Sequence, residues 1–139
     1  MIFAGGTGVL VFTDIIAYVM RRTLAKLNEA YKMITDEDFS DLAEDFSLIL
    51  HLSVSKREEA IGIEMYEAFH KVCQENGSNA FTLVANFTRE GGKRLNTNEV
   101  ESLFSTHKPK MAWVCGAPLY NEIFERNFYG CKEPKVEIF

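Results

Sequence analysis

Three stretches of this chain combine residue types and spacings that can do chemistry. The first is Gly5-Gly6-Thr7-Gly8-Val9, which breaks straight out of the apolar run Met1-Ile2-Phe3-Ala4. Glycines so placed let a backbone approach a phosphate closely and aim the free N–H groups of a helix start at it. A Cβ there would block the approach or forbid a positive φ. The second is Cys115-Gly116-Ala117-Pro118, a thiol and a glycine turn ahead of a proline suited to the first turn of a helix. The third is Ser53-Val54-Ser55-Lys56-Arg57, where hydroxyls and cations occur together, as recognition of a phosphate monoester requires, with Glu58 beside them. Arg89, Lys93 and Arg94 form a basic, glycine-containing loop whose side chains can reach phosphates from across such a site, although an exposed loop with no ligand accounts for them better.

These stretches must be held by regular elements. Met1–Ala4 reads as a buried strand. Phe12 to about Tyr31 reads as a helix with Ile15, Ile16, Val19, Met20, Leu24 and Leu27 inward, Thr13 or Asp14 as N-cap, and Arg21, Arg22, Lys26 and Glu29 in solvent. The acidic stretch 34–45 reads as a solvated loop or short helix, or a docking patch for a basic partner. Phe46–Val54 reads as a central strand, and Ala60–Gln74 as a helix with Ile61, Met65, Phe69 and Val72 inward, stopped by Asn76-Gly77. Strands over Ala80–Thr88, Lys110–Gly116 and Lys135–Phe139 alternate with helices from Asn96 or Thr97 through Phe104 and over Pro118–Tyr129. Strict alternation, β-α-β-α-β-α-β-α-β, predicts one α/β domain over residues 1–139: a five-stranded parallel sheet with helices on both faces, a three-layer sandwich. Ligands of such sheets bind at the carboxyl ends of the strands, near the point where the strand order reverses.

Composition narrows the function classes. Net charge is −5 with no basic stripe, which disfavours nucleic acid as the partner. No apolar run reaches the roughly 18–20 residues of a membrane span, and no secretory leader pattern is present. Cys73, Cys115 and Cys131 are widely spaced, an arrangement suited to a reducing compartment, and form no CxxC. His51, His70 and His107 are isolated, so no metal site is expected. A hydrolase built on Cys115 would need a positioned base, and none is evident. The abrupt opening in a core strand leads us to expect further chain upstream in the native protein.

The ordinary dinucleotide fingerprint, GxGxxG followed some twenty residues later by a carboxylate, is met only in part. Val9-Leu10-Val11 follows Gly6-Thr7-Gly8, and the second strand leads into Ser55-Lys56-Arg57 before any acid. Taken together and in order, Gly6-Thr7-Gly8-Val9, Cys115-Gly116-Ala117-Pro118 and the terminal Val136-Glu137-Ile138-Phe139 resemble the NAD(P)-binding half of the ferredoxin–NADP reductase superfamily, which includes cytochrome b5 reductases, ferric reductases and NADPH oxidases. The resemblance spans the whole chain. The chain departs from the pattern at Val11, where the family turn carries proline.

That resemblance implies a Rossmann-like domain that positions NAD(P)H for hydride transfer to FAD held in an upstream domain of the same protein. Electrons then pass to a one-electron acceptor whose identity is open. Gly6, Thr7, Gly8 and Val9 match the turn facing the pyrophosphate and nicotinamide, with Thr7 able to donate a hydrogen bond. Cys115 matches the cysteine beside the nicotinamide ring, Gly116 and Pro118 keep the following helix start open, and Phe139 matches the terminal aromatic that stacks near the rings. Ser53, Lys56 and Arg57 fall where the adenosine ribose is read and lean towards NADPH, with Glu58 keeping NADH open. The resemblance also implies a cytoplasmic domain, or the cytosolic face of a membrane protein, without membrane contact of its own. On its own this chain is expected to bind nucleotide weakly and to turn over nothing. The alternative, from another class, is a non-enzymatic α/β nucleotide-binding or protein-interaction module. Against its receiver-like form stand Gly5-Gly6 and Phe87-Thr88, where acidic residues would be needed, and Thr7 alone is thin for a flavodoxin-like phosphate loop.

Overall fold

Alternating apolar runs and amphipathic segments resolve into a single parallel sheet. The computed structural model describes residues 1–28, 39 and 41–139. Strand β1 (Ile2–Gly5) passes through a 3₁₀ turn (Gly6–Phe12) into helix α1 (Thr13–Leu27). Strand β2 (Leu48–Val54), a short 3₁₀ turn (Arg57–Glu59) and helix α2 (Ile63–Glu75) follow, then β3 (Phe81–Phe87), α3 (Thr97–His107), β4 (Met111–Cys115), α4 (Pro118–Phe128) and β5 (Lys135–Ile138). The strand order is β3-β2-β1-β4-β5, all parallel. The chain steps outward from β1 to β3, then returns through α3 to the other side of β1. The order therefore reverses between β1 and β4.

The two-residue period of a strand sends alternate side chains to opposite faces. Ile2 and Ala4 of β1 join Leu50 and Leu52 under Ile16 and Val19 of α1 and Tyr66, Phe69 and Cys73 of α2. Phe3 points to the other face, with Val114, Val100 and Phe104 of α3, and Phe124 and Phe128 of α4. Phe3 lies 4.8 Å from Phe124 between ring centroids and edge-on to Phe104 at 5.9 Å. Two helices thus cover each face, and burying an aromatic such as Phe124 contributes about 2–3 kcal/mol. Among the described residues no helix is long and apolar enough to cross a membrane.

Several local expectations change in three dimensions. Helix α1 begins at Thr13, because the 3₁₀ turn feeds it directly. Thr13 Oγ1 donates to the Leu10 carbonyl at 2.9 Å, so Thr13 is not an N-cap. The helix ends at Leu27; its anticipated reach over 29–31 lies outside the described residues, as does half of the acidic stretch 34–45 (34–38 and 40). Arg22, placed in solvent by the helical period, is buried: its guanidinium donates to the carbonyls of Leu42 and Ala43 at 3.1 and 2.6 Å. Helix α2 buries Ile63, Tyr66, Phe69 and Cys73, while Ile61 and Met65 are exposed. Both stripes have helical spacing, but the helix starts only after Gly62, whose φ of 75° ends the preceding turn.

Two caps follow the sequence closely. At the end of α2, Gly77 N–H donates to Gln74 and Ser78 N–H to Cys73, the paired bonds of a glycine-stopped helix. Asn96 caps α3 by accepting from Glu99 N–H at 3.1 Å, and Glu99 accepts from Asn96 N–H at 3.1 Å.

Candidate functional site at the strand-order reversal

A cleft of about 790 Å³ opens at the carboxyl ends of β1, β2 and β4, where the strand order reverses. Its centre is built by backbones in close approach. An added Cβ on Gly8 would lie 2.1 Å from the carbonyl oxygen of Cys115, so the turn after β1 can seat on the end of β4 only with glycine there. Gly8 is accordingly buried. Gly6 is different: its φ is +58°, it is exposed, and an added Cβ would meet nothing within 4 Å. Glycine at 6 serves the shape of the turn and leaves its outer side open to the cleft; glycine at 8 serves packing. Gly5 and Ala117, at the starts of the 3₁₀ turn and of α4, supply no side-chain cap.

Tyr120 forms part of the cleft wall on the β4 side. An added Cβ would lie 3.0 Å from its ring at Gly5 and 2.7 Å at Gly116, so both glycines make room for that ring. Its hydroxyl is buried without a hydrogen-bond partner among the described residues, and burial pushes the phenol well above its ordinary range. The sequence signal was present but silent. Tyr120 stands four residues before Phe124, on the inward stripe of α4, and nothing local announces that two glycines from different strands lie beneath it.

The far side of the cleft is polar. Ser53, Ser55 and Thr88 present hydroxyls, Glu59 a carboxylate and Arg94 a guanidinium. The loop that carries Arg94 is pinned by Asn86, whose Nδ2 donates to the Lys93 carbonyl at 2.6 Å and to Ser53 Oγ at 3.2 Å. Gly92 lets that loop fold back, because an added Cβ would lie 2.1 Å from Asn86 Oδ1.

Of the residues singled out in the sequence, Gly6, Thr7, Gly8, Ser53, Cys115 and Gly116 come together around this cleft. Cys115 is half-buried, with a free thiol. Val9 is wholly buried in the core, and Pro118 occupies the first turn of α4 beside the lining residues Ala117 and Leu119. Phe139 stays at the rim: its ring meets Phe12 edge-on at 5.7 Å, and Asn121 Nδ2 holds its carbonyl at 3.1 Å.

Lys56 and Arg57 lie outside the lining. Lys56 pairs with Glu58 at 3.1 Å. Arg57 makes a two-pronged bond to Glu67 and sits 5.9 Å above the Phe87 ring, while its backbone N–H donates to Glu90 at 3.0 Å. The Arg57 bond holds the Glu67 carboxyl below its ordinary value. Exposed Leu10, Val11, Leu119 and Phe139 lie around the same end of the sheet. A smaller hollow of about 380 Å³, between Arg22, Lys26, Ser47 and Ser78, lies at the opposite end. Among the described residues no group of three His, Cys, Asp or Glu side chains could hold a metal ion.

The cleft thus offers open backbone and two helix starts on one side, and hydroxyls, one guanidinium and one carboxylate on the other. Comparison with protein-family models, with curated proteins and with solved structures returned no match to this chain.

Proposed function

We propose that this domain is the pyridine-nucleotide-binding half of a flavin-dependent oxidoreductase. The single observation that carries the reading is the seating of Gly8 on the Cys115 carbonyl. It joins the Gly6-Thr7-Gly8 turn and the Cys115-Gly116-Ala117-Pro118 turn into one cleft at the strand-order reversal. Those are two of the three motifs that the sequence resemblance rests on, and that position is where parallel sheets take dinucleotides.

The residues present fit such a ligand. The turn at Gly6 leaves its outer side free for a pyrophosphate, Thr7 offers a hydroxyl, and the half-buried Cys115 offers a small, weakly polar surface against an aromatic ring. The bound nucleotide would supply a hydride. This chain's part is to bind it, orient it and exclude water. An FAD-binding domain of the same protein would carry the acceptor, and exposed Leu10, Val11, Leu119 and Phe139 suit an apolar contact at that rim.

Isothermal titration of the 139-residue chain with NADH, NADPH and ADP-ribose, followed by amide shifts, tests the reading. The expected result is weak binding with the largest shifts at Gly6–Gly8 and Cys115–Leu119. Absence of binding by all three at millimolar concentration sinks it.

A further inference from the structure

We infer that the adenosine end of this cleft selects a nucleotide with a free 2′,3′-diol, as in NADH, over one with a 2′-phosphate, and that Glu59 makes the distinction. The inference rests on the dinucleotide reading above and reverses the lean towards NADPH that Lys56-Arg57 suggests in the bare sequence.

The first ground is that the two cations at the exit of β2 are already engaged. Lys56 is held by Glu58, and Arg57 by Glu67 and the Phe87 face. Neither lines the cleft. A 2′-phosphate would have to break these pairs to recruit them, and each broken pair would free a carboxylate beside the incoming phosphate.

The second ground is the charge of the neighbourhood. Around the β2 exit, Lys56 and Arg57 stand against Glu58, Glu59, Glu64, Glu67 and Glu90, of which Glu64, Glu67 and Glu90 act directly on the Arg57 guanidinium. Arg89, whose backbone N–H donates to the Ser55 carbonyl at 2.9 Å, and Arg94 in the cleft lining bring the balance to four cations against five carboxylates, with the carboxylates gathered around Lys56 and Arg57. A phosphate monoester, which carries about −1.5 to −2 at neutral pH, finds Lys56 and Arg57 already neutralised by the carboxylates that face them.

The third ground is Glu59 itself. It lines the cleft just beyond Ser53 and Ser55, is exposed, and has no ion-pair partner among the described residues. A free carboxylate at the end of the second strand accepts hydrogen bonds from ribose hydroxyls. Arg94 is the only cation lining the cleft among the described residues and is likewise unpaired. It is delivered by the β3–α3 loop that Asn86 pins, and its single charge serves the pyrophosphate common to both nucleotides.

The test is a competitive titration of the 139-residue chain with NADH, NADPH, ADP-ribose and 2′-phospho-ADP-ribose, on the parent and on Glu59→Gln and Arg94→Ala. Circular dichroism confirms that both variants fold. In the parent, the 2′-hydroxyl forms should bind about fivefold to tenfold more tightly than their 2′-phosphorylated counterparts. Glu59→Gln should shrink that ratio by about fivefold. Arg94→Ala should weaken all four ligands alike. Equal or tighter binding of the 2′-phosphorylated forms, an unchanged ratio in Glu59→Gln, or an Arg94→Ala loss confined to those forms would overturn the inference while leaving the dinucleotide reading intact. Binding by none of the four would remove that reading, and the inference with it.

Discussion

Gly8 and the Cys115 carbonyl are in such close apposition that an added Cβ on the glycine would lie 2.1 Å from the oxygen. This contact locks the turn after the first strand onto the end of the fourth and sets the width of the cleft. Gly6, two residues earlier, has no such neighbour; it is constrained only by its φ of +58°. Gly6→Ala should therefore cost about 1–2 kcal/mol through backbone strain alone. Gly8→Ala should cost at least about 3 kcal/mol, because backbone rather than a flexible side chain must move. Chemical denaturation of the two variants checks the order; equal losses would show that the turn is not seated on β4.

Tyr120 buries a hydroxyl that bonds to nothing among the described residues, over two glycines that accommodate its ring. A buried polar group without a partner costs about 1–3 kcal/mol. Tyr120→Phe should keep the ring contacts with Gly5, Gly116 and Phe124 and remove that cost, raising stability by about 1 kcal/mol. A loss of stability on denaturation would mean that the hydroxyl has a partner in solution.

Asn86 holds the β3–α3 loop through two donated hydrogen bonds. Asn86→Ala should cost about 1–2 kcal/mol and free the loop at its basic residues. Trypsin should then cut at Arg89, Lys93 or Arg94 faster than in the parent. An unchanged rate would show that Gly92 and the backbone suffice to hold it.

His51 sits on β2, stacked on Phe3 at 5.1 Å, with Nε2 buried and without a hydrogen-bond partner among the described residues. Burial, and then the charges of His107 and the N-terminal ammonium, depress its pKa to about 4 from 6.5. The folded state therefore resists a proton that the unfolded chain takes up. The associated stability is complete above about pH 6.5 and declines as pH falls towards 4, by about 1 kcal/mol per unit. Denaturation at pH 7 and pH 4.5 should differ by about 2 kcal/mol more in the parent than in His51→Phe, which keeps the stack but cannot titrate. Equal pH dependence in both would place the titrating group elsewhere.

The class of fold is legible in the hydrophobic pattern of the chain. Apolar runs of strand length alternate with segments of helical period, and that pattern has one stable solution, a parallel sheet covered on both faces. Legible too are the stops and starts with local chemistry: Asn96 with Glu99, Asn76 with Gly77, and glycines where β1 and β4 end. A cap is satisfied within a few residues, so the linear order contains it. Contacts between distant segments are not so contained. Only the tertiary structure decided that Gly8 packs while Gly6 stays open, that Arg22 is buried on the Leu42 and Ala43 carbonyls, and that α2 turns Tyr66 rather than Met65 to the core. It alone committed Arg57 to Glu67, ten residues away on a helix face, and left Glu59 and Arg94 as the charged groups that line the cleft. The charge that a ligand meets depends on which side chains have already found partners, and those partners lie across the fold.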